Sequence, residues 1–525
     1  MDPIDFTLYL VTDRSLLPAG KDHLETLEQA IKGGVTVVQI REKNADTAEF
    51  LQIAQQSKAL CDRYKIPLIV NDRIDIALAI GARGVHLGQT DMPINVARKL
   101  LPEGTIIGIS CNTVEEVLRA KEAGADYVGL GAVWSTQTKK LTSPPIGVRG
   151  LGVMLEALDS SNISAVAIGG IKSSNLAHLL HGSTSQTEHR LDGVAVVSDI
   201  VASPNPEEAA QRLRSIFISS RLVAGELQSK STPSRDDILM KACTIMDTTR
   251  KLSPLVHQMT NVVVANQSAN ITLALGASPM MATAPEEMGD LSKLSHALLV
   301  NIGTLVSGSL QGMLKAGYFV NAARNPIVLD PVGIGASDFR KNSVSELLNS
   351  WQATVIKGNA GELAALAGSS ETVSKGVDSL GSFKDPVTFT RQLARKERCV
   401  VVLTGETDYI SDGKCVVILK NGDPLLGKIT GSGCMLGSCI ASYCAAANLL
   451  ESNDEYSGGS LDRGGNFLAA AVGAVLTLTI ASELATKREG VRGIGSFLPA
   501  LIDNVAALQP EDIRRFAKMK VVDSN

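Results

Sequence analysis

Eight short runs rich in β-branched residues, each followed by a longer helical pattern, fill the first 220 residues of this 525-residue chain. They are LYLVTD (8–13), VTVVQIRE (35–42), PLIVND (67–72), GVHLG (84–88), TIIGIS (105–110), YVGLGAV (127–133), AVAIGG (165–170) and GVAVVS (193–198). Strands that alternate with helices imply parallel βαβ units, because a parallel neighbour is reached only through a crossover. Eight of them predict a closed (β/α)8 barrel of the TIM type, with its active site at the carboxyl ends of the strands.

The chain is too long for that barrel alone, since single cores stop growing near about 250–300 residues. The stretch SRLVAGELQSKSTPSRD loses apolar periodicity and gains Ser, Pro and charge. Three segments follow: a barrel over 1–220, a linker over 221–236 and a second domain over 237–525. The second domain interleaves Ala/Gly-rich helical segments with the runs ALLVNIG, PIVLDPVG, ATVIKGN and CVVVLTG, which predicts layered α/β structure. Two polar segments, 368–385 and 451–466, read as mobile loops.

A net charge of −4 and a pI near 6.1 offer a phosphate backbone no long-range attraction, so no nucleic-acid partner is expected. The start, MDPIDFTLYLVTD, lacks a basic, apolar leader, and no segment reads as a membrane span. The eight cysteines show no metal or disulfide spacing. A cytoplasmic location with small-molecule substrates is the expectation.

The strand ends of the first domain are polar. Gln39, Arg41 and Lys43 alternate at the end of the second run, placing them on one face of an extended strand. Asn71 and Asp72 end the third, Asp91 follows the fourth and Ser110 ends the fifth. Two cations and two carboxylates at one rim suit a Mg2+-bound diphosphate, with Asp72 and Asp91 as the hard oxygen ligands. Thr136, Gln137, Thr138 and Lys139 follow the sixth strand, Gly170 ends the seventh and Val197 and Ser198 end the eighth. Small and hydroxyl residues there suit a second phosphate. Each polar residue could instead cap a strand or helix, and for Asp13, Glu42, Arg73 and His86 that reading is as good as ligand contact.

The second domain carries KITGSGCMLGSCIASYCAA, a Gly-rich turn opening a helix of small residues. Backbone N–H groups at such a helix start form an anion site, here one for a phosphoryl group in transfer, with Cys434 facing the acceptor hydroxyl. Packing or capping is the competing explanation, so context decides.

The segments QIREK, VND, HLGQTD, GAVWSTQTKK, AIGGI and VAVVSD resemble the thiamine-phosphate synthase family over about residues 5–220. The resemblance implies that Gln39, Arg41, Lys43, Asn71, Ser110 and Lys139 bind an aminopyrimidine diphosphate and that Asp72 and Asp91 bind Mg2+. Thr136, Gln137, Thr138, Gly170, Val197 and Ser198 then bind the thiazole phosphate, whose nitrogen displaces pyrophosphate. Lys139 is the expected catalytic cation for the leaving group, in a reaction carried by electrostatic preorganisation.

VLDPVG, IKGNAGEL and VVLTGETDYISD occur in the order of ribokinase-like kinases. HQMTNVVVANQSANITLALGASPMM followed by NIGTL resembles hydroxyethylthiazole kinase, and the likeness covers about residues 240–515. It implies that Met281 and Gly431 contact hydroxyethylthiazole, that Lys357 and Thr404 contact ATP, and that Asn359, Glu362 and Asp330 arrange Mg2+ and water. Cys434 takes the place of the catalytic base. Many such kinases have Arg at the position of Lys357 and Asp at that of Cys434. A thiol with a pKa near about 8.5 is a hesitant base; a helix N-terminus lowers that value and a nearby polyphosphate raises it. Kinases of this type are commonly trimers, so a homo-oligomer built on a kinase trimer is expected. The fusion is coherent because the kinase product is the barrel's second substrate. The alternatives are a working synthase on a silent kinase, and a sensor that binds thiamine precursors without chemistry.

Overall fold

The computed structural model describes residues 3–523 except 137, 139, 140, 142, 186, 229–231, 370–372, 376–377, 381–382 and 452–465. The chain divides into two compact units, with the change from one to the other at Gly225 and Glu226. The first is a closed barrel of eight parallel strands, and the second is a layered α/β unit built on a nine-stranded sheet.

The barrel strands are β1 (Leu8–Val11), β2 (Val37–Ile40), β3 (Leu68–Asn71), β4 (Gly84–Leu87), β5 (Ile106–Cys111), β6 (Tyr127–Leu130), β7 (Ser164–Ile168) and β8 (Gly193–Val196). Each falls within one residue of a run read from the sequence, but most stop earlier. The strands end at Ile40 and Asn71, so Arg41, Lys43 and Asp72 lie on loops. The strict alternation expected for Gln39, Arg41 and Lys43 therefore ends at Ile40.

Strand side chains alternate between two cores. Leu8 and Leu10 face the surrounding helices, while Tyr9 and Val11 join Val37, Ile69, Tyr127, Val166 and Ala195 inside the barrel. Both faces are buried, which is why the runs are continuously apolar. Closure depends on Gly193, where an added Cβ would lie 1.6 Å from the Phe6 carbonyl oxygen. The helix Pro206–Gln228 runs through the first half of the stretch read as a linker, and the helix Arg235–Leu252 starts at its end behind a Ser234/Asp237 capping box.

The second unit contains β9 (Leu255–Met259), β10 (Ser278–Met280), β11 (Ala297–Asn301), β12 (Ile327–Asp330), β13 (Val355–Asn359), β14 (Val373–Lys375), β15 (Asp378–Leu380), β16 (Val400–Thr404), β17 (Asp408–Ser411), β18 (Val416–Leu419) and β19 (Met519–Val522). The main sheet has the order β10-β9-β11-β12-β13-β16-β17-β18-β19, parallel up to β16 and antiparallel beyond. β14 and β15 form a separate hairpin inside 368–385, where the sequence suggested only a loop. One helical layer holds Arg235–Leu252, Ser432–Glu451 and Asn466–Ala485; the other holds Ser307–Ala322, Asp338–Ser350 and Ala360–Ala367.

Two of these helices, over Ser432–Leu450 and Asn466–Ala485, are long and apolar enough to cross a membrane, a point the sequence reading did not anticipate. They are 83% and 89% buried in the unit and pack on each other and on Arg235–Leu252, as core helices do. All eight cysteines are buried, and none is in a disulfide.

Candidate active sites

In the barrel, the carboxyl ends of the strands surround a cavity of roughly 980 Å3, open solvent at its mouth included. Gln39, Arg41, Ser110, Thr136, Thr138, Gly170, Val197 and Ser198 all line it. The walls also include Asn112, Ser143 and Gly169, which the sequence reading did not single out. Gln137 and Lys139 lie outside the described residues. The Gly169–Gly170 turn has φ of 104° and 69°, and a Cβ on Gly170 would come within 2.8 Å of the Trp134 Cβ, so glycine there keeps two loops in contact.

Lys43, Asp72 and Asp91 form a second group at the same strand ends. The Lys43 ammonium contacts the Asp72 carboxylate, and Asp91 Oδ2 accepts from the Gly88 N–H at 2.6 Å. Burial lifts the Asp91 carboxyl above its ordinary range, and contact with Asp72 adds to the shift. Asp72 holds φ at 61°, a left-handed conformation that Asp tolerates better than most residues and that concentrates at functional turns. Two carboxylates in contact repel unless a cation separates them, so this donor set fits a hard divalent ion. Among the described residues no group of three or more His, Cys, Asp or Glu side chains can hold a metal, so such an ion would draw its other oxygens from substrate and water. Asn71 is buried at the end of β3.

Four neighbouring residues follow the ordinary reading or depart from it. Asp13 caps a helical turn and pairs with Arg41 at 3.3 Å, Glu42 pairs with Arg14 at 3.0 Å, and Arg73 pairs with Asp75. His86 departs from it. Its ring is buried inside the barrel between Tyr127 and Ser110.

In the second unit the candidate residues form a row along the carboxyl edge of the parallel strands, where open α/β sheets bind ligands. Asn261 follows β9, Asn301 ends β11, Asp330 ends β12, Asn359 ends β13 and Thr404 ends β16. Lys357 Nζ donates to Asp330 Oδ1 at 2.9 Å, and Asn301 Nδ2 donates to Asp330 Oδ2 at 2.8 Å. Asn261 and Asn301 each donate to Cys434 Sγ at 3.3 Å. The sequence reading did not single out these two amides either; TN in HQMTN and VN in LLVNIG mark them only once the strand ends are known.

The sense of the Cys434 shift, left open by the sequence, is upward: burial raises the thiol pKa and Asp330 raises it further, against the opposing pull of Lys357 and the two amides. Burial also lifts the Asp330 carboxyl, despite Lys357 and Asn301. For Lys357, burial disfavours the ammonium, but Asp330, Glu362 and Cys434 outweigh it and hold the charge.

Glu362 is the reciprocal partner of Asn359 in a capping box, and its other oxygen accepts from the Gly333 N–H at 3.0 Å. Gly431, at φ 85°, precedes the helix Ser432–Glu451, and a Cβ there would lie 2.4 Å from Val264. A Cβ on Gly433 would sit 3.3 Å from Lys357 Nζ, so the ammonium lies against this helix start. Met281 follows β10 at the edge of the sheet and is half-buried.

Comparison with known proteins assigns the two units. Residues 8–200 match the thiamine monophosphate synthase family, and residues 246–511 match the hydroxyethylthiazole kinase family. A probable thiamine biosynthetic bifunctional enzyme of Schizosaccharomyces pombe is 39% identical over 97% of this chain and 96% of its own length. The thiamine biosynthetic bifunctional enzyme of Saccharomyces cerevisiae is 36% identical over 97% of each. A hydroxyethylthiazole kinase of Histophilus somni is 42% identical over 51% of this chain and 96% of its own length. Taken with the barrel cavity and the row of polar strand ends in the second unit, these likenesses show that the chain belongs to the family of bifunctional thiamine biosynthetic enzymes, a thiamine-phosphate synthase domain followed by a hydroxyethylthiazole kinase domain.

Proposed function

We propose that the kinase domain, over 237–525, phosphorylates 4-methyl-5-(2-hydroxyethyl)thiazole with ATP. The barrel, over 1–220 with 221–236 as the connection, joins the product to 4-amino-2-methyl-5-(diphosphooxymethyl)pyrimidine, releasing pyrophosphate and thiamine phosphate. The observation that carries this reading is the gathering of Gln39, Arg41, Ser110, Thr136, Thr138, Gly170, Val197 and Ser198 around one cavity.

In the barrel, Gln39 and Asn71 orient the pyrimidine, Arg41, Lys43 and Lys139 neutralise the diphosphate, and Ser110 donates to it. Thr136, Gln137, Thr138, Gly170, Val197 and Ser198 hold the thiazole phosphate, with its nitrogen facing the pyrimidine methylene. Asp72 and Asp91 would hold Mg2+, which when bound supplies charge neutralisation at the leaving phosphates. Lys139 stabilises the departing pyrophosphate.

In the kinase, Met281 and Gly431 contact the thiazole, Lys357 and Thr404 contact ATP, and Asn359, Glu362 and Asp330 would arrange Mg2+ and water. The helix start at Ser432 supports the transferred phosphoryl group. Cys434 accepts the proton of the thiazole alcohol in its thiolate form, which the raised pKa disfavours. The exposure of Val262 and Val263 (80% and 61%), with Met281 at the sheet edge, supports a homo-oligomer with a kinase trimer at its centre. A cytoplasmic location accords with the reduced cysteines and the biosynthetic role.

The test is thiamine phosphate formation by purified protein from Mg2+, pyrimidine diphosphate and unphosphorylated thiazole, with and without ATP. Product only with ATP is expected. Product only from ready-made thiazole phosphate would mean a silent kinase, and no product from either would favour a sensor. Light scattering on the same sample reads the oligomer.

A further inference from the structure

Inside the barrel, five side chains from five strands form one unbroken line of hydrogen bonds. Gln39 Nε2 on β2 donates to the Tyr9 hydroxyl on β1 at 2.8 Å. The Tyr9 and Tyr127 hydroxyls are 2.8 Å apart. Tyr127, on β6, lies 2.9 Å from His86 Nδ1 on β4, and His86 Nε2 lies 2.9 Å from Ser110 Oγ on β5. Both ends, Gln39 and Ser110, line the substrate cavity. The middle is buried, with Tyr9 at 1% and Tyr127 at 0% exposure. Burial also pushes both phenols well above their ordinary pKa, so each keeps its proton.

A hydroxyl has one proton to give, and a neutral imidazole has one donor and one acceptor nitrogen. When Gln39 Nε2 donates to Tyr9, Tyr9 must donate to Tyr127 and Tyr127 to His86 Nδ1; any other order leaves a buried tyrosine O–H without an acceptor. His86 then carries its proton on Nε2 and donates to Ser110, whose own O–H turns to the cavity. Gln39 offers the cavity its carbonyl oxygen. Flipping the Gln39 amide reverses every bond and exchanges donor for acceptor at both ends. The two cavity walls are therefore coupled.

We propose that His86, Tyr127 and Tyr9 are positioning residues of the synthase, whose relay, with His86 in the Nε2–H tautomer, holds Gln39 as an acceptor and Ser110 as a donor and so selects a pyrimidine bearing an amino group over its oxo analogue. This rests on the synthase reading above. An amino group donates to the Gln39 carbonyl, whereas an oxo group would meet it oxygen to oxygen and leave buried polar groups unpaired.

The experiment compares wild type with Tyr127→Phe and Tyr9→Phe, each of which removes one oxygen and keeps the ring. Condensation with ready-made thiazole phosphate is followed for the 4-amino and 4-oxo pyrimidine diphosphates. The expected result is a KM for the amino substrate raised about tenfold, a kcat lowered less than about threefold, and an amino-over-oxo preference reduced by about tenfold or more in either variant. Tyr9→Phe serves if Tyr127→Phe does not fold. Wild-type preference retained in a folded variant would overturn the proposal. Independently of turnover, 15N resonances of His86 in the unliganded full chain should show the Nε2–H tautomer, shifted by Tyr127→Phe; an Nδ1–H tautomer in wild type would overturn the relay's direction. Failure of wild type to form thiamine phosphate would sink the synthase reading, while the tautomer would still decide the relay.

Discussion

Both active sites stand on the carboxyl ends of parallel strands, yet they hold their charges in opposite ways. In the barrel, the Lys43 and Asp72 side chains keep 49% and 21% of their exposure. In the kinase, Lys357 and Asp330 keep 4% and 0%. An exposed pair is weakly coupled and parts easily, so a diphosphate and a cation can replace it. A buried pair cannot be split without stranding a charge. On the proposed assignment of these residues, binding and folding would be separable in the synthase and carried by the same residues in the kinase.

The hardest test of this contrast is Asp330→Ala. Stranding the Lys357 ammonium should cost the kinase domain about 3–5 kcal/mol in urea unfolding. Thiazole phosphorylation should fall to background while condensation from thiazole phosphate continues. A loss below about 1 kcal/mol would put this pair with the surface pairs and remove the contrast.

Asp408 extends the comparison to a buried carboxyl without a cation partner. Burial pushes it up to about 7, and the Gly405 N–H donates to it at 3.1 Å. A folded pKa above the unfolded value of about 3.9 means stability that is fully present below pH 4 and lost as pH rises through 7. Asp408→Asn keeps the acceptor and cannot ionise. It should match wild type near pH 4 and exceed it near pH 8 by up to roughly 3–4 kcal/mol, read by urea unfolding at both pH values. Equal slopes in the two proteins would mean that the carboxyl is solvated.

In the barrel, Asp91→Asn should slow condensation about 100-fold, close to 2.7 kcal/mol of barrier, with partial recovery at high Mg2+. Its urea midpoint should barely move. Unfolding in step with the loss of activity would show the synthase site to be as structural as the kinase site. The smallest effect belongs to Arg73→Ala, which removes an exposed pair with Asp75 beside Asp72. Stability should change by less than about 1 kcal/mol, and both activities should hold. A tenfold fall in condensation would instead make Arg73 a ligand contact.

Much of this was legible in the chain. The eight barrel strands are visible because a strand buried on both faces needs a continuous β-branched run. Seven of their ends were read one to three residues too far, since Arg41, Glu42 and Asp72 follow directly on the apolar runs, and the fifth was read one residue short. The helix through 221–228 was missed because Gly225 and the polar residues after it interrupt the apolar pattern of the sequence. Ser432–Glu451 and Asn466–Ala485 have the hydropathy of membrane spans because all sides of a central core helix are covered. Sequence alone does not separate the two.

The sequence by itself determined two domains in a set order, the barrel strands, the glycine turns and most of the polar strand ends, all of which depend on patterns within a few residues. The tertiary structure alone decided which charges are exposed and which are sealed, that the Cys434 thiol is raised, and that Tyr9, Tyr127 and His86 join Gln39 to Ser110. Asn261 meets Cys434 across 173 positions of chain and Tyr9 meets Tyr127 across 118. Burial and hydrogen-bond direction are properties of such meetings, because the local dielectric and the available partners exist only once the chain has closed.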